Sequence, residues 1–152
     1  MQPISLFGHL PMMETIKPGL EDFKINVRIK LSALWTVLMF CYVYGDFFIL
    51  FVPGHIQSMM SGNSGVGKTT PVTILLFAVL LSIPAIMIFL SLILRPKTSR
   101  LLNISMGVFF TVIMLLTVAS SVEKWMMFYI YLGIVEIMIT LLITSIAWRW
   151  PK

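Results

Sequence analysis

Charge is scarce in this chain. Only 11% of its 152 residues are charged and six are acids, whereas soluble domains carry ~25% charged residues. That shortage excludes an ordinary water-solvated surface. The eleven basic residues are dispersed, so no nucleic-acid face is expected either. Cysteine is nearly absent. The lone Cys41 cannot form an intrachain disulfide and says nothing of redox compartment. Two histidines are present, and no His/Cys/Asp group has metal-ligand spacing. No serine stands beside a histidine and an acid. No metal, cofactor or nucleophilic catalyst is therefore expected.

What the chain has instead is long apolar runs. It is 59% apolar with a mean hydropathy of +0.98, against ~45–50% apolar in soluble domains. About 20 apolar residues cross a bilayer core, and four stretches have that length: 31–52, 72–94, 101–122 and 125–147. The first, LSALWTVLMFCYVYGDFFILFV, is the one on which the rest is organised, because it holds a charge, Asp46. Thr70-Pro71 supplies an N-cap followed by proline at the first helical position of the second stretch. Pro84 falls in its middle and predicts a kink. Residues 53–70 read as a polar Gly/Ser connection. The pattern predicts an all-α integral membrane four-helix bundle over 31–152, preceded by an N-terminal segment, 1–30. No apolar stretch of leader length precedes it, and Met13 is an alternative start to Met1. Within 20–30, Phe23, Val27 and Lys30 share one face. That suits a short helix on the membrane surface, with a frayed basic tail as the alternative.

Orientation follows from the basic residues. Lys17, Lys24, Arg28, Lys30, Arg95, Lys97, Arg100, Arg149 and Lys152 fall on one side, and Lys68 and Lys124 on the other. Cytoplasmic segments carry the excess, so both termini are expected in the cytoplasm. Trp35, Trp148 and Trp150 would mark the inner interface and Trp125 the outer. Membrane lipids are the first partners implied. A homo-oligomer or a membrane partner protein is a further one, and a nucleotide is not.

Two acids lie inside apolar stretches. Asp46 shares a helix face with Tyr42, Met39, Trp35 and Ser32. Glu136 shares one with Tyr129, Gly133, Thr140, Ile143 and Ala147. At ~1.5 Å per residue, Glu136 lies ~15 Å and Asp46 ~9 Å below the outer ends of their helices. At similar depth they could share a proton. Asn103, Gly107, Thr111 and Ser121 fall near one face of the third stretch, and Pro84 and Ser91 on one face of the second. Intramembrane carboxyls mark ion paths, proton relays or ligand pockets; the structural alternative is a neutral acid that only fixes packing. The ligand or proton site candidates are Asp46, Glu136, Tyr42, Tyr44 and Trp35. His55 reads as a loop histidine, and the twelve methionines as gap-filling.

One string imitates a different chemistry. Gly62-Asn63-Ser64-Gly65-Val66-Gly67-Lys68-Thr69 satisfies the Walker A pattern. A phosphate-binding loop needs a buried strand before it and a soluble helix after it. Here apolar stretches flank it, and it faces away from the cytoplasm. It is read as a fortuitous flexible turn, with no nucleotide site.

Trp35-Thr36, Phe40-Cys41-Tyr42-Val43-Tyr44-Gly45-Asp46 and Val52-Pro53-Gly54 together resemble a bacterial family of small four-helix membrane proteins of unknown function. Pro84 with Ile88-Phe89-Leu90-Ser91-Leu92, Gly133 with Glu136, and Ala147-Trp148-Arg149-Trp150-Pro151 fit it too. The resemblance covers about 22–152 and implies the fold and the bacterial cytoplasmic membrane, but no activity. Size and helix count are also similar to the broader DoxX-like proteins, at the level of fold alone. Three functional readings follow. The first is a non-enzymatic membrane protein with a polar intramembrane pocket that binds a small ligand or cation or relays protons. The second is a structural or accessory subunit whose buried acids serve packing or partner recognition. The third is a membrane-embedded enzyme acting on a quinone or lipid.

Overall fold

The computed structural model describes residues 24–63, 67–121 and 124–151. Over these the chain is all-α. Five helices follow one another: α1 (Val27–Ile49), α2 (His55–Met60), α3 (Pro71–Ile93), α4 (Pro96–Ser120) and α5 (Met127–Arg149). A 3-10 turn, Lys124–Met126, leads into the last. All but α2 are long and apolar enough to cross a membrane.

Local sequence sets the ends. α1 begins ahead of its apolar run because Asn26 caps it, its side chain accepting the Arg28 N–H at 3.0 Å. Val27 to Lys30 are therefore the first turn of α1 itself rather than a separate surface helix. Residues 24–26 of that expected helix are non-helical, and its remainder and both candidate starts lie outside the described residues. Thr70 caps α3, its hydroxyl accepting the Thr73 N–H at 3.1 Å, with Pro71 next in line as the sequence predicts. α3 then runs unbroken through Pro84. Pro96 opens α4, so only Leu94 and Arg95 separate it from α3. The connection after α1 is more ordered than its composition suggests. Gly54 takes φ +79°, a left-handed turn costly for other residues, and α2 starts at the next residue.

The four long helices stand in ring order α1, α3, α4, α5. α4 and α5 are the most intimate pair, α1 lies against both α3 and α5, and α3 and α4 barely touch. Small residues let α4 and α5 approach. A Cβ on Gly107 would run into Thr144 Oγ1 and lie 3.3 Å from the Thr140 carbonyl oxygen. One on Gly133 would run into Val118 Cγ2. Thr111 and Thr140 hydroxyls meet between these helices at 2.8 Å. Such small and hydroxylated seams suit helices that pack without a hydrophobic driving force between them.

The two ends differ. At the end carrying the α3–α4 turn, which is also the basic end, two arginines clip neighbouring helices. Arg28 donates to the Leu92 carbonyl at 3.2 Å. Arg100 donates to the carbonyls of Ala147 and Trp148 at 3.2 and 2.9 Å. Each satisfies a helix C-terminus where a cation is favoured. At the opposite, loop end the packing opens. The buried residues of α3 are Pro84, Met87 and Ser91, and none of residues 71–82 is buried.

Candidate functional site

Two polar groups occupy the interior. The first lies in the basic half. Trp35 is 0% exposed and reaches across the ring from α1 to α4, its indole N–H donating to Asn103 Oδ1 at 2.7 Å. The same oxygen accepts the Ser91 hydroxyl at 3.1 Å, and the Asn103 amide donates to the Ser99 carbonyl at 2.8 Å. Ser91 also donates to the Met87 carbonyl at 2.7 Å. This group is satisfied throughout, as buried polar groups must be. It revises the expectation for Trp35, which is a buried cross-link rather than an interfacial anchor. Trp125 and Trp148 are exposed.

The second group lies in the loop half, around Glu136. That residue is 6% exposed and comes from the α5 stripe Gly133, Glu136, Ile139, Thr140, Ile143 and Ala147. The stripe read from the sequence held all of these but Ile139. Cys41, Tyr42, Asp46 and Tyr129 stand close enough to feel the charge of Glu136 or to act on it. Tyr42 is 7% exposed. Its ring leans on Phe110 at 6.4 Å, and its buried hydroxyl has no hydrogen-bond partner among the described residues. Phe110 joins the two groups, since its other neighbour is the Trp35 ring, edge-on at 6.1 Å.

The α1 candidates divide. Its buried face runs Leu31, Ser32, Trp35, Leu38, Tyr42 and Gly45, so the stripe drifts by one residue from the expected step and puts Gly45, not Asp46, inward. Gly45 is where α1 meets Tyr129 and Leu132, both 3.8 Å from where a Cβ would sit. Asp46 is left exposed at the edge of the group. Tyr44 leaves it altogether. It is 53% exposed and stacks between Phe40 and Phe48 at 6.5 and 6.2 Å on the outer face of α1. Of the four residues expected to line a pocket, Tyr42 and Glu136 are buried while Asp46 and Tyr44 are exposed, and the half-buried Tyr129 stands near Glu136.

The Walker-like string lies between α2 and α3. Its ends are pinned, Thr69 N–H donating to the Gly62 carbonyl at 2.8 Å and Asn63 bridging Lys68 in antiparallel fashion. Residues 64–66 lie outside the described residues. A short helix precedes the string, and α3 begins only at Pro71. Lys68 and Thr69 thus stand outside the helix whose first turn they would form in a phosphate loop. His55 opens α2 and is half-buried. No group of three His, Cys, Asp or Glu that could hold a metal ion occurs among the described residues.

Sequence reasoning missed the two arginine clips and the Trp35–Asn103 bond. Asn103 stood on the predicted face of α4, but nothing in spacing tells which helix a side chain bridges.

The family model described as a family of unknown function, DUF6326, matches residues 20–152, and the chain belongs to that family. No curated protein and no solved structure matches the chain.

Proposed function

We propose that this chain is a non-enzymatic integral membrane four-helix bundle of the bacterial cytoplasmic membrane, and that Glu136 is the working group of a polar site that binds a small cation or takes up protons. The four long apolar helices support the membrane reading. Arg28, Lys30, Arg95, Lys97, Arg100 and Arg149 gather at the end with the α3–α4 turn, and Lys68 and Lys124 belong to the loops at the other. By the excess of positive charge on cytoplasmic segments, that end faces the cytoplasm and the site lies in the outer half.

One observation carries the functional reading. A carboxyl is buried beside an unpartnered tyrosine hydroxyl, and no lysine or arginine lies at that depth in any of the four helices. A group so costly to keep in a membrane marks function by default. The place of Glu136 in the same stripe as Gly133 and Thr140 favours a second reading, an accessory subunit in which the acid only fixes helix packing for a partner protein.

Infrared difference spectra of the reconstituted protein across a pH titration separate the two, with Glu136→Gln and Asp46→Asn assigning the bands. A carboxylic-acid band that titrates and vanishes in Glu136→Gln supports the site. A band that stays unmoved at every pH refutes it and leaves the packing role.

A further inference from the structure

We propose that the corner of the basic end where α4 begins and α5 finishes is a binding surface for an anionic phospholipid, with Lys97, Arg100 and Arg149 holding the phosphate of its headgroup. The inference rests on the membrane reading of the four long helices and owes nothing to Glu136.

The fold gathers three cations here. Arg100 Nε and Nη2 donate to the carbonyls of Ala147 and Trp148 at 3.2 and 2.9 Å. The Trp148 carbonyl is joined to the Arg149 amide, so the clip brings both arginines to one helix end. Lys97 stands on the neighbouring turn of α4, three residues before Arg100. Lys97 and Arg149 are exposed. A guanidinium has five N–H groups. The clip uses two of them, and the others meet no acceptor among the described residues.

No described acid balances this charge. The acids among the described residues are Asp46 and Glu136, both in the loop half. Glu136 lies ~20 Å along α5 from Arg149, at ~1.5 Å per residue. Helix ends do not cancel the charge either. The start of α4, which no side chain caps, carries about half a positive charge, and the end of α5 about half a negative one. These offset each other and leave the three side chains in surplus.

What surrounds the charge selects a lipid over a soluble anion. Trp148 is 67% exposed beside Arg149, and an indole favours the headgroup level of a bilayer. Deeper along the same two helices the exposed side chains are apolar. Leu101 and Val108 follow Lys97 on one face of α4, and Leu141 and Ile134 follow Trp148 on one face of α5. A phosphate held by the cations therefore has apolar surface beneath it for its acyl chains. Basic groups at the ends of membrane helices recognise anionic headgroups in this way. A free phosphate or an acidic peptide would gain nothing from that apolar surface.

The test is native mass spectrometry of the full chain, released from detergent micelles that hold equal amounts of phosphatidylglycerol and phosphatidylcholine with identical acyl chains. Phosphatidylglycerol should be retained at least about fivefold over phosphatidylcholine, the worth of one basic side chain at an anionic surface. Lys97→Gln combined with Arg149→Gln should weaken its retention at least about tenfold. Lys24→Gln combined with Lys30→Gln removes the same charge from exposed positions at the start of α1, across the ring. Screening should limit that effect to less than about threefold. Arg100 stays in place in both variants, which keeps its clip. The wild type carries a second readout: phosphatidylglycerol vesicles should slow acetylation of Lys97 relative to Lys68, and phosphatidylcholine vesicles should not. Equal or no retention of the two lipids overturns the assignment, as does acetylation of Lys97 that ignores the lipid. Equal losses from the two charge pairs also overturn it, reducing the corner to the general charge of the basic end. Displacement of the lipid by millimolar glycerol 3-phosphate would make the ligand a soluble anion and overturn the lipid. None of these outcomes touches the infrared titration of Glu136, so the two proposals fail separately.

Discussion

Removing Asn103 tests whether the interior is held by a few polar bonds. Asn103→Ala deletes the acceptor of the Trp35 indole at 2.7 Å and of Ser91 at 3.1 Å, and the donor to the Ser99 carbonyl at 2.8 Å. Ser91 keeps its bond to the Met87 carbonyl at 2.7 Å, so its loss is small. Trp35 has no such alternative, because it is 0% exposed. An unpaired buried donor costs ~1–3 kcal/mol, although hydrogen bonds between membrane helices average only ~0.6 and reach ~1.7 kcal/mol. The vacated volume adds about 1 kcal/mol, at the low end of large-to-small substitutions. The sum is about 2–3 kcal/mol. Asn103→Leu fills the volume without restoring the acceptor and isolates the polar part at about 1–2 kcal/mol. Trp35→Phe combined with Asn103→Leu should fall short of the sum of the single losses by about 1 kcal/mol, since the bond can be lost only once. Equilibrium unfolding in mixed detergent–SDS micelles, followed by helicity, measures all of these. A loss below ~0.5 kcal/mol for Asn103→Ala, within the range of an uninvolved surface change, or strict additivity of the pair, would refute the reasoning.

Gly133→Ala drives a methyl into Val118; overpacking of ~1–3 kcal/mol outweighs a helix-propensity gain of ~1 kcal/mol, and adding Val118→Ala should restore much of the loss in the same unfolding assay. Tyr42→Phe removes a buried hydroxyl with no partner among the described residues, so stability should hold or rise by up to ~1 kcal/mol; a clear loss of stability would show that the hydroxyl is satisfied after all. In a Cys41→Ser background, Ser61→Cys and Thr98→Cys, both exposed and at opposite ends, should differ toward an impermeant maleimide in intact cells. Labelling of Ser61→Cys alone is expected, and the reverse would overturn the assigned orientation.

Much of this interior was legible because small and polar residues are conspicuous in long apolar stretches and gather where such helices pack. Gly133, Glu136, Thr140 and Ala147 stand out as small or polar residues in an apolar stretch, and the structure buries all four. Asn103, Gly107 and Thr111 are visible for the same reason and are buried in α4; so are Pro84 and Ser91 in α3. α1 was harder. Its aromatic residues point every way. The step back from Asp46 found the buried Tyr42, Trp35 and Ser32 but missed Leu38 and, at the outer end, Gly45, which meets α5 in place of the acid. Tyr44 looked like a site residue by its neighbours in sequence and is a ring in the stack of Phe40 and Phe48. Bonds that cross between helices carry no local signature. Arg28 and Arg100 could be counted as charges, but not seen as caps on α3 and α5.

The two halves of the molecule depend on each other. A buried carboxyl and an unpaired hydroxyl are destabilising, and they persist only where something else holds the helices in place. Here that is the basic half, with the Trp35–Asn103–Ser91 bonds inside and the arginine clips at its edge. α1 is common to both, Trp35 lying two helical turns before Tyr42 on one face. Phe110 touches both rings. A change that loosens Trp35 should therefore also disturb Tyr42, whereas a change at Glu136 should leave the Trp35–Asn103 bond intact. If Trp35→Phe left the infrared titration of Glu136 unchanged from the wild type, the halves would be independent, and Phe110 would be packing alone.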